Sequence, residues 1–285
     1  EKIMNSNPVL ESFGNAKTVM NNNSSRFGKL MEVGLDGPRG RRLPRLDEWR
    51  IHGAQIYNYI LEKSRVTSQS GSERNFHVFY MLLQGLTITD LKRMGLGPGG
   101  VASMKSFHYL QQNSEEDYLI EGRDEQGEFN EMMKAFGILG VDKNTVNKLL
   151  NLLGAILHLG NILFVPDGAS RAAKQRGSLG AGSKVKAESV FHLKKAAELL
   201  CCDKDILLMA LIKLRTKLFE RPSTPLEATA ARDALAKDLY RRMFDFVVEL
   251  CNKKIYNGVS RATISILDIF GFEIFEQNSF EQLCI

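Results

Sequence analysis

Two short segments carry side chains of the kind that grip a phosphate. Near the start, Asn21-Asn22-Asn23-Ser24-Ser25-Arg26-Phe27-Gly28-Lys29 offers amide side chains, two adjacent hydroxyls and an arginine. Near the end, Asp268-Ile269-Phe270-Gly271-Phe272-Glu273 offers a carboxylate, a glycine whose N–H can approach a ligand closely, and a second carboxylate. Phosphoryl transfer uses such parts: hydroxyl and carboxylate oxygens to organise Mg2+, donors for the γ-phosphate oxygens, and a group that orients water. Taken singly, each has a plainer reading. The asparagine-rich run is an ordinary turn or helix cap, Arg26 a surface cation, Asp268 a strand-end turn residue, and Glu273 a solvated acid at a helix start. Their joint occurrence is what points to a nucleotide.

A third stretch, Gly177-Ser178-Leu179-Gly180-Ala181-Gly182-Ser183-Lys184, imitates the phosphate-cradling pattern G-x-x-x-x-G-K-S/T. Its last two residues are inverted, no apolar strand precedes it, and no hydroxyl follows the lysine to meet Mg2+. It reads as a flexible linker, so the part that would hold the β-phosphate is missing from these residues.

The elements that must position the two motifs follow from pattern and punctuation. Residues 5–22 read as a helix followed by a loop, with Pro8 and Gly14 as breaks. Residues 27–35 alternate and predict a strand, and residues 36–50, containing Gly37-Pro38-Arg39-Gly40-Arg41-Arg42, a solvated basic loop. Residues 51–66 form an apolar segment. Phe76, Phe79, Tyr80 and Leu83 recur at helical spacing within 74–84. Residues 129–139 and 145–159 are apolar nearly all round, as in helices buried on several sides. Residues 166–186 read as a surface loop, 187–200 as an amphipathic helix and 213–225, with Pro222 and Pro225, as an exposed hairpin or loop. A long helix over 226–253 carries Leu235, Leu239, Phe246 and Leu250 along one side. After the Asn257-Gly258 turn, 263–267 predict a strand with Asp268 at its carboxyl end, where open α/β sheets place ligand-binding residues. Both predicted strands would pair with strands not among these residues, leaving exposed edges.

Composition narrows the class. The 285 residues are 44% hydrophobic and 25% charged with a net charge of +5, which suits a globular chain and does not argue for nucleic acid. Cys201, Cys202, Cys251 and Cys284 form no C-x-x-C pair, so a reduced intracellular protein without disulfides or structural zinc is expected. No secretory signal opens the chain. The longest apolar stretch, 149–165, is interrupted by Asn151, His158 and Asn161 and predicts a buried helix rather than a membrane span. His77 and His158 read as hydrogen-bonded core histidines, and Cys284 as a buried apolar residue.

With these residues in hand, Ser24-Ser25-Arg26-Phe27-Gly28-Lys29 resembles switch I of the myosin motor domain, and Asp268-Ile269-Phe270-Gly271-Phe272-Glu273 resembles its switch II. Leu61-Glu62-Lys63-Ser64-Arg65-Val66, Glu73-Arg74-Asn75-Phe76-His77-Val78-Phe79-Tyr80, His158-Leu159-Gly160-Asn161-Ile162 and Arg232-Asp233-Ala234-Leu235-Ala236-Lys237 resemble further signature stretches in the same order. Kinesins share the Ser-Ser-Arg, but a Ser-His follows it there, and a small residue stands where Phe272 is here.

The resemblance implies an α/β fold: a fragment of a P-loop NTPase-type motor domain, with a mostly helical upper 50-kDa subdomain plus strands of the central sheet. It implies a switch I region over 1–35, the upper 50-kDa subdomain mainly over 51–260, and the switch II strand with the start of the relay helix over 261–285. By the same resemblance, Asn21 would bind the nucleotide phosphates, and Ser24 would touch the γ-phosphate and the lytic water. Ser25 would ligate Mg2+, Asp268 would hold the ion through a water, and Gly271 would donate its N–H to the γ-phosphate of ATP. Arg26 and Glu273 would pair across the closed switches. Actin filaments would be met partly through residues 213–225, where Lys217, with Thr216 beside it, falls at a position that often carries an acidic or phosphorylatable residue. Light chains or calmodulin would bind a neck absent here, and the location would be the cytoplasmic actin cytoskeleton.

The resemblance also implies that the glycine-rich phosphate loop, most of the relay, the converter and the lever lie outside these residues. The isolated chain is therefore expected to bind Mg-ATP weakly and not to turn over, while its parent would be an actin-activated ATPase. The alternatives are a non-catalytic actin-binding or regulatory relic and, less favoured, a non-motor nucleotide switch.

Overall fold

A computed structural model describes residues 1–37, 45–111, 114–167, 182–215, 220–269 and 271. The first helix runs Lys2–Gly14, three residues earlier than its pattern suggested, and keeps Pro8 inside it. Proline removes one helical hydrogen bond, and here the carbonyl left without it belongs to Met4, on the exposed side. Gly14 ends the helix rather than breaking it. The chain then turns through two short antiparallel strands, β1 (Asn15–Ala16) and β2 (Ser24–Ser25).

Strand β3 (Gly28–Asp36) is the centre of a three-stranded sheet. Strand β4 (Arg50–Tyr59) flanks it on one side, so residues 51–59 of the apolar segment are a strand, followed by a 3-10 turn at Lys63–Val66. The other neighbour is the late strand Ala262–Asp268. Both pairings are antiparallel, unlike the open α/β sheets whose strand ends suggested a ligand site at Asp268. Asp268 comes to the site because an antiparallel strand ends where its partner begins. Strand β3 is paired on both edges, against expectation, whereas Ile264, Ile266 and Leu267 of the late strand remain more than half exposed. Gly53 lets β4 pass the end of the last helix: a Cβ there would lie 2.8 Å from the Ile255 carbonyl oxygen.

Helices at His77–Gly85, Glu125–Ile138 and Lys143–Gly160 form the core as predicted, the first buried from His77 to Leu83. Helix Val190–Leu199 follows a second short ladder, β5 (Phe164–Pro166) with β6 (Ser183–Val185). The segment over 166–186 is thus not all loop. Ser183 and Lys184 of the phosphate-loop mimic lie in a strand, whereas a true cradle opens a helix at that point. Residues 213–225 do form a hairpin, β7 (Lys213–Arg215) with β8 (Glu220–Pro222), tied by Lys213 to Glu220 at 2.8 Å.

The long helix is Pro225–Ile255. Thr224 caps it, Glu227 reaches back to the Thr224 N–H, and Pro225 fits the first turn, where no N–H is needed. Its buried side runs through Arg232, Ala236, Tyr240, Met243, Val247 and Cys251. The predicted stripe was displaced: Leu235, Leu239 and Leu250 are only partly buried and Phe246 is 40% exposed. The reason is chemical. Arginine and tyrosine do not score as apolar, yet here both are buried and hydrogen-bonded. Tyr240 donates its hydroxyl to the Phe13 carbonyl at 2.7 Å, and Arg232 Nη1 caps the Lys143–Gly160 helix at the carbonyls of Gly160 and Ile162. Among the described residues no helix is long and apolar enough to cross a membrane.

Candidate functional site

The loop before Ser24 is folded on its own polar groups. The Thr18 N–H donates to the Asn21 carbonyl at 2.9 Å, and the Asn21 N–H returns to Thr18 Oγ1 at 3.1 Å. Asn21 Oδ1 accepts the Asn23 N–H at 2.8 Å, so this exposed side chain shapes the loop. The pairing Asn15 to Ser25 and Ala16 to Ser24 then folds the chain back on the end of the first helix, where the Arg26 N–H donates to the Gly14 carbonyl at 2.8 Å.

This return buries Arg26 completely. Its Nη1 donates to Ser24 Oγ at 3.0 Å and its Nε to Glu62 Oε2 at 2.7 Å. The same Glu62 oxygen accepts Arg65 Nε at 2.8 Å, and Arg65 Nη1 donates to Glu73 Oε2 at 2.9 Å. Glu73 Oε1 closes the path by accepting the Val19 N–H. An alternating chain of buried charges therefore runs from Arg26 back to the loop that precedes it. Glu62, Arg65 and Glu73 had no assigned role in the sequence reading. The available signal was their spacing: opposite charges repeat across 62–74 within strongly apolar flanks.

A second buried set lies alongside. Arg74 pairs with Glu125 at 2.7 Å, and Arg123, itself paired with Glu128, donates through Nη1 to His77 Nε2 at 3.0 Å. Burial first, then the charges of Arg123, Arg74 and Arg65, push the His77 pKa well below its ordinary value and keep the ring neutral. His158, also fully buried, holds the Met94 carbonyl at 2.9 Å and His192 Nδ1 at 2.8 Å. Both histidines are core groups, as read from sequence.

The second motif arrives along the sheet. Register places Lys29 directly across from Asp268, with Lys29 Nζ 3.4 Å from Asp268 Oδ2. The close approach continues one step on, where a Cβ on Gly28 would lie 3.3 Å from Ile269 Cγ2. Among the described residues, nothing would lie within 4 Å of a Cβ on Gly271. Glu273, the predicted partner of Arg26, lies outside the described residues, as do Cys284, Thr216, Lys217 and the stretch expected to begin the relay helix. Of the predicted site residues, Ser24 and Ser25 lie in the short β1–β2 ladder, Arg26 follows them just before β3, Asp268 ends the late strand across from Lys29, and Asn21 stays on the exposed loop.

Residues 1–285 match the family model of the myosin head (motor domain). The chain belongs to the myosin head family. It is 41% identical over 290 residues to Protein OPAQUE1 of Zea mays, a match covering 100% of this chain and 17% of that protein. It is 40% identical over 290 residues to Myosin-16 of Arabidopsis thaliana, covering 100% of this chain and 21% of that protein. This myosin head segment therefore spans about a fifth of the length of these relatives. Its architecture is mixed α/β, mostly helical with small sheets. Within the myosin head, the antiparallel ladder between the two motifs gives the resemblance a spatial meaning: residues far apart in the chain share one end of a sheet.

Proposed function

We propose that this chain carries the two nucleotide-sensing segments of an actin-based motor that hydrolyses Mg-ATP, together with much of the upper 50-kDa subdomain. The observation that carries this reading is the Lys29–Asp268 register, which sets the end of one motif against the other.

The residues present suit a hard cation and a phosphate. Ser25 Oγ donates its hydrogen to the Phe27 carbonyl at 3.1 Å, which leaves oxygen lone pairs for an ion. The Asp268 carboxylate is a second oxygen donor, and hard cations such as Mg2+ prefer oxygen ligands. When bound, Mg2+ would neutralise charge building on the transferred phosphoryl group. Arg26 holds Ser24 Oγ in place and is itself braced by Glu62. Gly271, having no side chain, can bring its N–H close to a phosphate oxygen. Arg26 would close on Glu273 and exclude water from the back of the pocket.

The charged hairpin within 213–225 presents Lys213, Arg215 and Glu220 to solvent and is the proposed part of the actin-facing surface. Light chains or calmodulin would bind a neck outside this segment. None of these residues supplies a cradle for the β-phosphate, so the isolated chain should hold Mg-ATP weakly and not turn over.

The test is steady-state ATPase of the complete gene product with and without actin filaments, beside the isolated 285-residue chain. Actin-stimulated turnover lost on Ser24→Ala and Gly271→Ala supports the reading. Full turnover in either variant removes those residues from the site. No turnover in the complete product leaves a non-catalytic relic.

A further inference from the structure

Lys29 is the least explained charge at the junction of the two motifs. Its side chain is only 12% exposed, while that of its partner Asp268 is 56% exposed. The ammonium lies 3.4 Å from Asp268 Oδ2 and 3.5 Å from Asn7 Oδ1 on the first helix. The lysine is therefore the buried member of the pair, and the Asp268 carboxylate the exposed one. A lysine has three donors and no lone pair, so it can act here only as a fixed positive charge.

The same carboxylate is the oxygen proposed to help hold Mg2+. We propose that Lys29 is a positioning residue that tunes the hold on this divalent cation: it orients Asp268 and, as a neighbouring positive charge, weakens the grip on the ion. The idea rests on the functional reading above. Two effects oppose each other when Lys29 is removed. The loss of an anchor loosens Asp268, and the loss of a like charge favours the cation. The pairing of β3 with the late strand runs from Lys29–Asp268 through Leu30–Leu267 to Leu35–Ala262, so the backbone that carries the carboxylate keeps its place without the lysine. The charge effect then dominates, because unit charges a few ångströms apart near a protein surface interact strongly.

The expected result of Lys29→Met is a fall of roughly three- to tenfold in the free Mg2+ that half-maximally slows release of a fluorescent ADP. Lys29→Arg, which keeps the charge, should stay near wild type. The measurement is stopped-flow nucleotide release against free Mg2+ in the complete gene product, with thermal unfolding of each variant alongside. An unchanged or raised Mg2+ requirement in a folded Lys29→Met protein overturns the proposal, and so does a shift of the Lys29→Met size in Lys29→Arg. If Lys29→Met does not fold, Lys29→Gln is measured in its place with the same expectation. If wild type itself shows no Mg2+-dependent nucleotide binding, the functional reading fails, and the role of Lys29 fails with it.

Discussion

Arg26 and Glu62, 36 positions apart, form a buried ion pair of 2.7 Å in which the guanidinium has no solvent exposure. The carboxylate is shared with Arg65 at 2.8 Å, so one oxygen fixes two arginines. Removing one partner of such a set leaves charges buried without compensation, which costs more than the pair itself contributes. Glu62→Ala should therefore destabilise the folded protein by about 3–5 kcal/mol. Urea unfolding of the variant and wild type checks this, and a loss under about 1 kcal/mol would mean that the network is solvated or redundant.

Lysine should not replace Arg26. The guanidinium serves Ser24 and Glu62 at once through different nitrogens, a fork that an ammonium on a flexible stem does not reproduce. In the complete gene product, Arg26→Lys should lower ATP turnover about a hundredfold, in the range of losing one preorganised donor. Turnover within a few-fold of wild type would show that only the charge matters.

Gly14 closes the first helix against Phe27, and a Cβ there would lie 2.3 Å from Phe27 Cε1. The Phe27 ring is buried and stands edge-on to Phe244 at 4.8 Å, so it has little room to yield. Gly14→Ala should cost about 1–3 kcal/mol of stability by overpacking. Paired with Phe27→Leu, which frees that space, the loss should be less than the sum of the two single changes. Strict additivity in the double-mutant cycle would place the strain elsewhere.

Acid should weaken the fold through His158. Burial is the main cause that lowers its pKa from 6.5 to about 4, against the opposing pull of the Met94 carbonyl. The unfolded chain therefore binds a proton at a higher pH than the folded one, and stability rises with pH across that window. Above about 6.5 this histidine has no effect, and between 6.5 and about 4 the fold loses stability as pH falls. The full loss from this group is about 3 kcal/mol. His192, lowered by burial, and His77 add to the same trend. The urea midpoint measured from pH 7 to 4 should fall, with a shallower slope in His158→Gln. An identical slope in that variant would exclude this residue as the cause.

The sequence by itself determined the family, the two motifs and most of the elements. Local chemistry suffices for those: the Thr224-Pro225 cap, the alternation over 27–35 and the apolar rows of the central helices each act within a few residues. It did not reveal which side of the Pro225–Ile255 helix faces inward, because the buried stripe uses Arg232 and Tyr240, whose burial depends on carbonyls of distant segments. Nor did it show that the strand ending at Asp268 runs antiparallel beside Lys29. Strand direction and register are settled by backbone pairing across the whole chain, which no local pattern encodes. The same holds for Arg26: its charge was legible, but its burial was not. Only the tertiary structure brings Glu62 within reach of it, and a buried arginine persists only where such a partner waits.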